Sequence, residues 1–287
     1  MTATLVSLWT AVRRRLEAAG VDTPVLDARL LLEAGAGVAR LDIVTDPRRP
    51  VSDAQVAAVE ALTRRREARE PVSHIVGRKA FWTLELAVTP DVLTPRPETE
   101  LVVETALALL PAERPARVLD LGVGSGAILL AVLSERPQAR GVGVDVSAAA
   151  LAVAGANAEA LGLAERVTLS EGGWHEGGEE PFDLVLSNPP YIASAEIAGL
   201  EPEVARYEPR LALDGGADGL DAYRAIAAAL PRLLAPGGGF ALEVGRGQAA
   251  AVEALLAEQG LAAGPARRDL QGVARVVWGG VRQAGAG

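Results

Sequence analysis

The chain has 287 residues, 49% of them hydrophobic and 23% charged, with no cysteine, two histidines and a formal net charge of −9. That length suits one large domain or two unequal ones. The missing thiols exclude a disulfide scaffold, a cysteine-ligated metal centre and a thiol nucleophile, and His74 with His175 cannot by themselves make a multi-histidine metal site.

The acidic balance argues against a protein that coats nucleic acid. It is uneven: residues 1–75 hold 11 arginines against 10 acids, a net of +1, while residues 76–287 hold 17 basic and 27 acidic side chains, a net of −10. The opening stretch has no long apolar segment and no uncharged run of membrane-spanning length follows, so a cytoplasmic protein without a membrane anchor is expected.

Leu5, Leu8, Trp9, Val12 and Leu16 recur at helical spacing opposite Arg13, Arg14 and Glu17, with Gly20 placed to end the helix. A second helix is predicted from the Thr23-Pro24 start towards Gly35, and a third from the capping-box pattern Ser52-x-x-Gln55. These three stripes predict a small all-α domain over 1–75, and the arginine clusters 13–15 and 64–66 read as solvated helix faces.

Residues 76–100 read as a strand and turn connector, with an alternating strand over Phe81–Val88 and Pro97 opening a helix. Over 101–287 strands and helices alternate: strands at 117–121, 141–145, 167–169, 182–187, 240–244 and 273–278, with helices between most of them. Repeated strand–helix units predict an α/β domain, a mostly parallel sheet with helices on both faces.

Gly122-Val123-Gly124-Ser125-Gly126 follows the first of these strands and opens a helix, so a ligand can approach bare backbone and a helix N-terminus. Asp145 closes the next strand, where a carboxylate can accept both hydroxyls of a ribose. Together they favour a nucleoside-bearing cofactor, although the loose Gly-x-Gly-x-x-Ala spacing also admits NAD.

Ser187-Asn188-Pro189-Pro190-Tyr191, at the end of a later strand, discriminates further. Consecutive prolines stiffen the loop and remove two donors. The carbonyls of Asn188 and Pro189, the Asn188 side chain and the Tyr191 ring then form a slot for a planar NH2 group.

These motifs resemble those of class I S-adenosylmethionine-dependent methyltransferases. The segments Arg78-Lys79-x-Phe81-Trp82, Thr94-Pro95-Arg96-Pro97-Glu98-Thr99-Glu100, Tyr207-Glu208-Pro209 and Leu213-Asp214-Gly215-Gly216-x-Asp218-Gly219-Leu220 resemble, more closely, the HemK/PrmC release-factor glutamine methyltransferases.

The resemblance implies a seven-stranded, mostly parallel sheet behind a helical substrate-docking domain, with S-adenosyl-L-methionine over Gly122 to Gly126, Asp145 on its ribose and Trp174 beside its adenine. Asn188, which would also touch the cofactor, Pro189, Pro190 and Tyr191 would hold the glutamine of a class I peptide chain release factor. Arg96 and Glu98 would line the substrate entrance. A monomer is expected, with neither metal nor direct nucleic-acid contact. Val123 stands where the family usually has Thr, and Gly173 where it has an acid. The alternative is an adenine-N6 or guanine-N2 nucleic-acid methyltransferase, since the same slot fits any planar NH2; an NAD oxidoreductase would need a proton donor that the sequence does not offer.

Overall fold

A computed structural model describes residues 3–178 and 180–281, and the chain divides into two compact units. The first runs to Arg78 and also takes Glu201–Tyr207; the second comprises Lys79–Leu200 and the chain from Glu208 onward. The segment read as a connector therefore divides after Arg78.

The first unit contains α1 (Leu5–Ala18), α2 (Pro24–Ala36), α3 (Arg40–Thr45), α4 (Asp53–Glu67) and α5 (Val72–Val76). Its core is Leu5, Val12, Leu16, Leu31, Leu32 and Val59 with smaller neighbours; the stripe read on the first helix faces it, whereas on α2 Leu31 and Leu32 are buried and Leu26 is exposed. Ser52 accepts from the Gln55 N–H while Gln55 returns a bond to the Ser52 N–H, closing the expected capping box.

Gly35 does not end α2. The helix continues to Ala36 and stops at Gly37, whose φ of 63° is left-handed. A Cβ on Gly35 would lie 2.9 Å from the Val59 backbone, so this glycine lets α2 and α4 approach closely.

The arginine clusters are also not simply solvated. Arg15 pairs with Glu60 and Glu67, Arg65 with Glu70, and Arg66 is only 5% exposed, bonded to Asp27 at 2.7 Å and to Glu203 at 2.8 Å. Glu203 lies on a short helix, Pro202–Tyr207, that the apolar pattern did not reveal; Arg69 also bonds Glu203, and the Tyr207 hydroxyl donates to the Ala68 carbonyl.

The second unit opens with a hairpin, β1 (Arg78–Phe81) and β2 (Leu84–Ala87), where one continuous strand was expected. Trp82, at φ 55°, makes the turn. A 3-10 turn at Pro97–Thr99 leads into α6 (Glu100–Leu109).

Then follow β3 (Arg117–Leu121), α7 (Ala127–Glu135), β4 (Arg140–Asp145), α8 (Ala148–Ala160), β5 (Val167–Glu171) and β6 (Phe182–Ser187). The short helix Pro202–Tyr207 is α9. After it come α10 (Asp221–Leu233), β7 (Leu234–Glu243), α11 (Ala249–Glu258), β8 (Leu261–Ala263), β9 (Arg267–Arg268) and β10 (Ala274–Val281).

The main sheet runs β5-β4-β3-β6-β7-β10-β8, seven strands in line, with two-residue β9 pairing on β10 as an eighth. The first five strands in that order are parallel and β10 is antiparallel to its neighbours. Side chains alternate as a pleat requires. Val118, Leu184, Leu186 and Ala241 pack with α6, α7 and α8 on one face; Leu119, Leu121, Val185, Phe240 and Leu242 pack with α10 and α11 on the other.

Strand order reverses at β3, with β4 on one side and β6 on the other. The carboxyl ends of these strands therefore diverge into a crevice, the place where open parallel sheets hold ligands.

Candidate active site

A cavity of about 730 Å³, walled entirely by the second unit, occupies that crevice. It is lined by Gly122, Val123, Gly124 and Ser125 from the turn after β3, and by Asp145 from the end of β4. Trp174 from the loop after β5 and Asn188 and Pro190 from the turn after β6 also line it. Gly126, Pro189 and Tyr191 are not on its wall. Gly126 packs against Leu130 at the start of α7, Pro189 is buried, and Tyr191 packs against the core around α10.

The glycine turn is built from its φ angles. Gly122 and Gly124 sit at 72° and 53°, a region open to glycine at no steric cost. A Cβ on Gly122 would lie 3.1 Å from the Trp174 ring, so the indole packs directly against the bare backbone of the turn. The Gly122 and Val123 N–H groups both donate to the Val144 carbonyl, which ties the turn to β4. Val123 is buried, its methyls against Gly143 of β4.

Asp145 accepts from the Gly124 N–H through Oδ2 and from the Ser147 N–H through Oδ1, each at 3.0 Å. A carboxylate offers about four lone-pair sites, so both oxygens keep acceptor capacity facing the cavity. The opposite side of the glycine turn is held by Asn157 of α8. This residue is 2% exposed, donates to the Ser125 carbonyl at 2.9 Å, and exchanges bonds with the Ala87 N–H and carbonyl of β2. It escaped the sequence reading because an asparagine inside an alanine-rich helix carries no motif.

Around Asn188 the geometry is polar and enclosed. Its Nδ2 donates to the Thr99 hydroxyl oxygen at 3.3 Å, and Thr99 is 3% exposed. Behind Thr99 lies Glu243, the last residue of β7, 2% exposed with Oε2 unpartnered among the described residues. Burial pushes its carboxyl up to about 7, against the Thr99 hydroxyl and Arg275, which favour the charged form. Burial and then the Glu243 charge push the Tyr191 phenol up to about 12, so it stays protonated. Neither Thr99 nor Glu243 was singled out for a role: one lay within a longer matched motif, the other at an ordinary strand end.

The loop after Tyr191 is anchored by the glycine-rich segment that follows α9. Ile192 and Ser194 donate to the Leu213 and Gly216 carbonyls, and Gly215 donates back to Ile192. A Cβ on Gly215 would lie 2.7 Å from the Pro190 carbonyl oxygen. Gln248 closes the other flank, donating to the Tyr191 carbonyl at 2.9 Å.

Arg96, expected at an entrance, bonds Glu208, a buried carboxyl that burial holds above the usual range. Glu98 is not on the cavity wall. His175 is exposed beside Glu176, and Asp120, buried behind the turn on β3, is held well above the usual range chiefly by burial.

Two family models match: the PrmC N-terminal domain over residues 7–77 and the Methyltransferase small domain over residues 99–201. The chain is 54% identical over 228 residues to a release factor glutamine methyltransferase of Caulobacter vibrioides, covering 79% of each chain. It is 49% identical over 214 residues to one from Rhodospirillum rubrum, covering 75% of this chain and 66% of that one.

Among solved structures, the catalytic domain of hMettl16, crystallised with a 3′ UTR hairpin, superposes with a TM-score of 0.58 at 14% identity over 81% of this chain and 84% of that one. A methyltransferase from Pyrococcus furiosus gives 0.51 at 17% identity over 70% of this chain and 91% of that one. At such identities these two show the class I methyltransferase fold alone.

Proposed function

The chain belongs to the release factor glutamine methyltransferase family, and on that premise we propose that it methylates N5 of the glutamine in the Gly-Gly-Gln loop of class I peptide chain release factors, using S-adenosylmethionine. One observation carries this reading: the glycine turn, Asp145 and Asn188 open into a single cavity. Its volume lies within the range of small-molecule sites.

The cavity fits the cofactor. Gly122 and Gly124 bring bare backbone to the cavity wall for the methionine part, Trp174 on the same wall offers a ring for the adenine, and Asp145 keeps free lone pairs for ribose hydroxyls. When bound, S-adenosylmethionine supplies an electrophilic methyl on a sulfonium.

The chain's own contribution is alignment. An amide nitrogen is a weak nucleophile because its lone pair is delocalised into the carbonyl. Oδ1 of Asn188, on the cavity wall, accepts from the substrate NH2, holds its plane and favours pyramidalisation, so that the lone pair points at the methyl. Alignment of this kind is worth roughly 7–11 kcal/mol in favourable cases. Tyr191, protonated and packed, stiffens the slot, and the nitrogen loses its proton as the new bond forms.

The helical unit serves as the docking module for the protein substrate. The enzyme acts as a cytoplasmic monomer; among the described residues no helix is long and apolar enough to cross a membrane. Purified enzyme with radiolabelled cofactor and a release factor tests the reading. Label should enter the protein and vanish when the loop glutamine is replaced by alanine. Transfer that survives this replacement, or label found in nucleic acid, refutes it.

A further inference from the structure

The slot has a polarity problem. Asn188 can face a substrate NH2 with an acceptor, Oδ1, or with a donor, Nδ2, and only the acceptor is productive. The same rotation about its last torsion exchanges the two. Asn188 directs Nδ2 to the Thr99 hydroxyl oxygen at 3.3 Å, which leaves Oδ1 for the cavity. A threonine hydroxyl, however, can donate as readily as it accepts. If its proton pointed at Asn188, the opposite amide orientation would be the stable one.

Glu243 removes that freedom. It lies off the cavity wall that Thr99 lines, 2% exposed, and a carboxylate there can only accept. The Thr99 hydroxyl favours its charged form, as a donor to it does, and with that hydroxyl directed at Glu243 the Thr99 oxygen presents lone pairs to Asn188. We propose that Glu243 and Thr99 are positioning residues whose hydrogen-bond direction, Thr99 to Glu243 and Asn188 to Thr99, sets the Asn188 amide with Oδ1 towards the substrate nitrogen. This rests on the amide-methylation reading, since a donor-facing slot would suit a different substrate.

The device has a cost and a consequence. Burial disfavours the charge on Glu243, whose carboxyl titrates near 7. The groups that face it are Arg275 of β10, Glu98 and Arg96 beside the turn before α6, the Tyr191 phenol, and Tyr223 of α10, whose hydroxyl donates to the Glu243 carbonyl. Of these, the two arginines favour the carboxylate and Glu98 opposes it. Protonated Glu243 can donate to Thr99, which frees the Thr99 proton for Asn188 Oδ1. Turnover should therefore fall as pH drops through about 7, with the loss in kcat.

The test is steady-state methyl transfer to a release factor from pH 5.5 to 8.5, with cofactor affinity measured by calorimetry. Wild-type enzyme must first transfer the methyl; if it does not, the functional reading fails before the relay is reached. Given an active wild type, Glu243→Gln and Thr99→Val should each lower kcat at pH 8 by about tenfold or more, leave cofactor affinity within about threefold, and abolish the acid limb. Thr99→Ser, which keeps the hydroxyl, should restore both rate and limb.

A Glu243→Gln enzyme with wild-type kcat and pH profile overturns the proposal. So does a Thr99→Ser enzyme as impaired as Thr99→Val. Should Glu243→Gln fail to fold, the threonine pair decides alone.

Discussion

At the scale of single residues, alignment and cofactor binding separate. The Asn188 side chain bonds Thr99 and, among the described residues, no group of the glycine turn, so Asn188→Ala should lower turnover by orders of magnitude while calorimetry finds cofactor affinity nearly unchanged. A drop below about tenfold, or about 1.4 kcal/mol, would contradict the slot. Gly173 offers the converse experiment. A Cβ there would meet nothing closer than the His175 ring at 3.6 Å, so Gly173→Asp fits. If the family's acid at this position serves the adenine amino group, the substitution should tighten cofactor binding by about threefold to tenfold, the worth of one hydrogen bond. Unchanged affinity would mean that Trp174 and the backbone recognise adenine without it.

At the scale of elements, two contacts decide how well the pieces are held. Asn157 joins α8, the β1–β2 hairpin and the glycine turn through three hydrogen bonds, all buried or partly so. Asn157→Ala strands the Ser125 carbonyl and both polar groups of Ala87, and should cost about 2–3 kcal/mol in denaturant unfolding. It should also weaken cofactor binding, because the turn loses its anchor on the α8 side. In the helical unit, Gly35→Ala forces a methyl into the Val59 backbone, and α2 and α4 must separate. About 1–3 kcal/mol of stability should be lost, seen as a lower midpoint with an unchanged slope.

At the scale of the whole molecule, two buried or partly buried carboxyls, one in each unit, respond to pH in opposite senses. In the helical unit, burial alone would raise the Glu203 carboxyl, but Arg69 and Arg66 outweigh it and hold the group below its ordinary 4.5. A depressed carboxylate stabilises fully above that value, and its contribution disappears as pH falls through the lower folded one. In the second unit the raised Glu243 binds its proton more tightly when folded. Its contribution is present below 4.5 and fades as pH rises towards 7. Hydrogen exchange of α4 amides should accordingly show acid-side loosening that Glu203→Gln flattens. Glu243→Gln should instead gain stability relative to wild type as pH rises from 5 to 8. If the two variants share one pH profile, the assignment of these groups is wrong.

By itself the sequence determined the periodic elements and the cofactor turn. Leu5 to Leu16, Ser52 with Gln55, the strands at 117–121 and 182–187 and the glycines after β3 are local: spacing, caps and φ preference act within a few residues. Asn188 was legible for the same reason, because its motif is contiguous.

Only the tertiary structure decided which groups surround it. Thr99 precedes α6 and Glu243 ends β7, so their meeting behind Asn188 depends on β6 lying beside β7 and on how the turn before α6 packs there. Asn157, Gly35 and Arg66 were hidden likewise. Each does its work through a partner 24 or more residues away, Val59 for Gly35 being the nearest, and no local rule records which side chain a buried polar group or a bare Cα will meet.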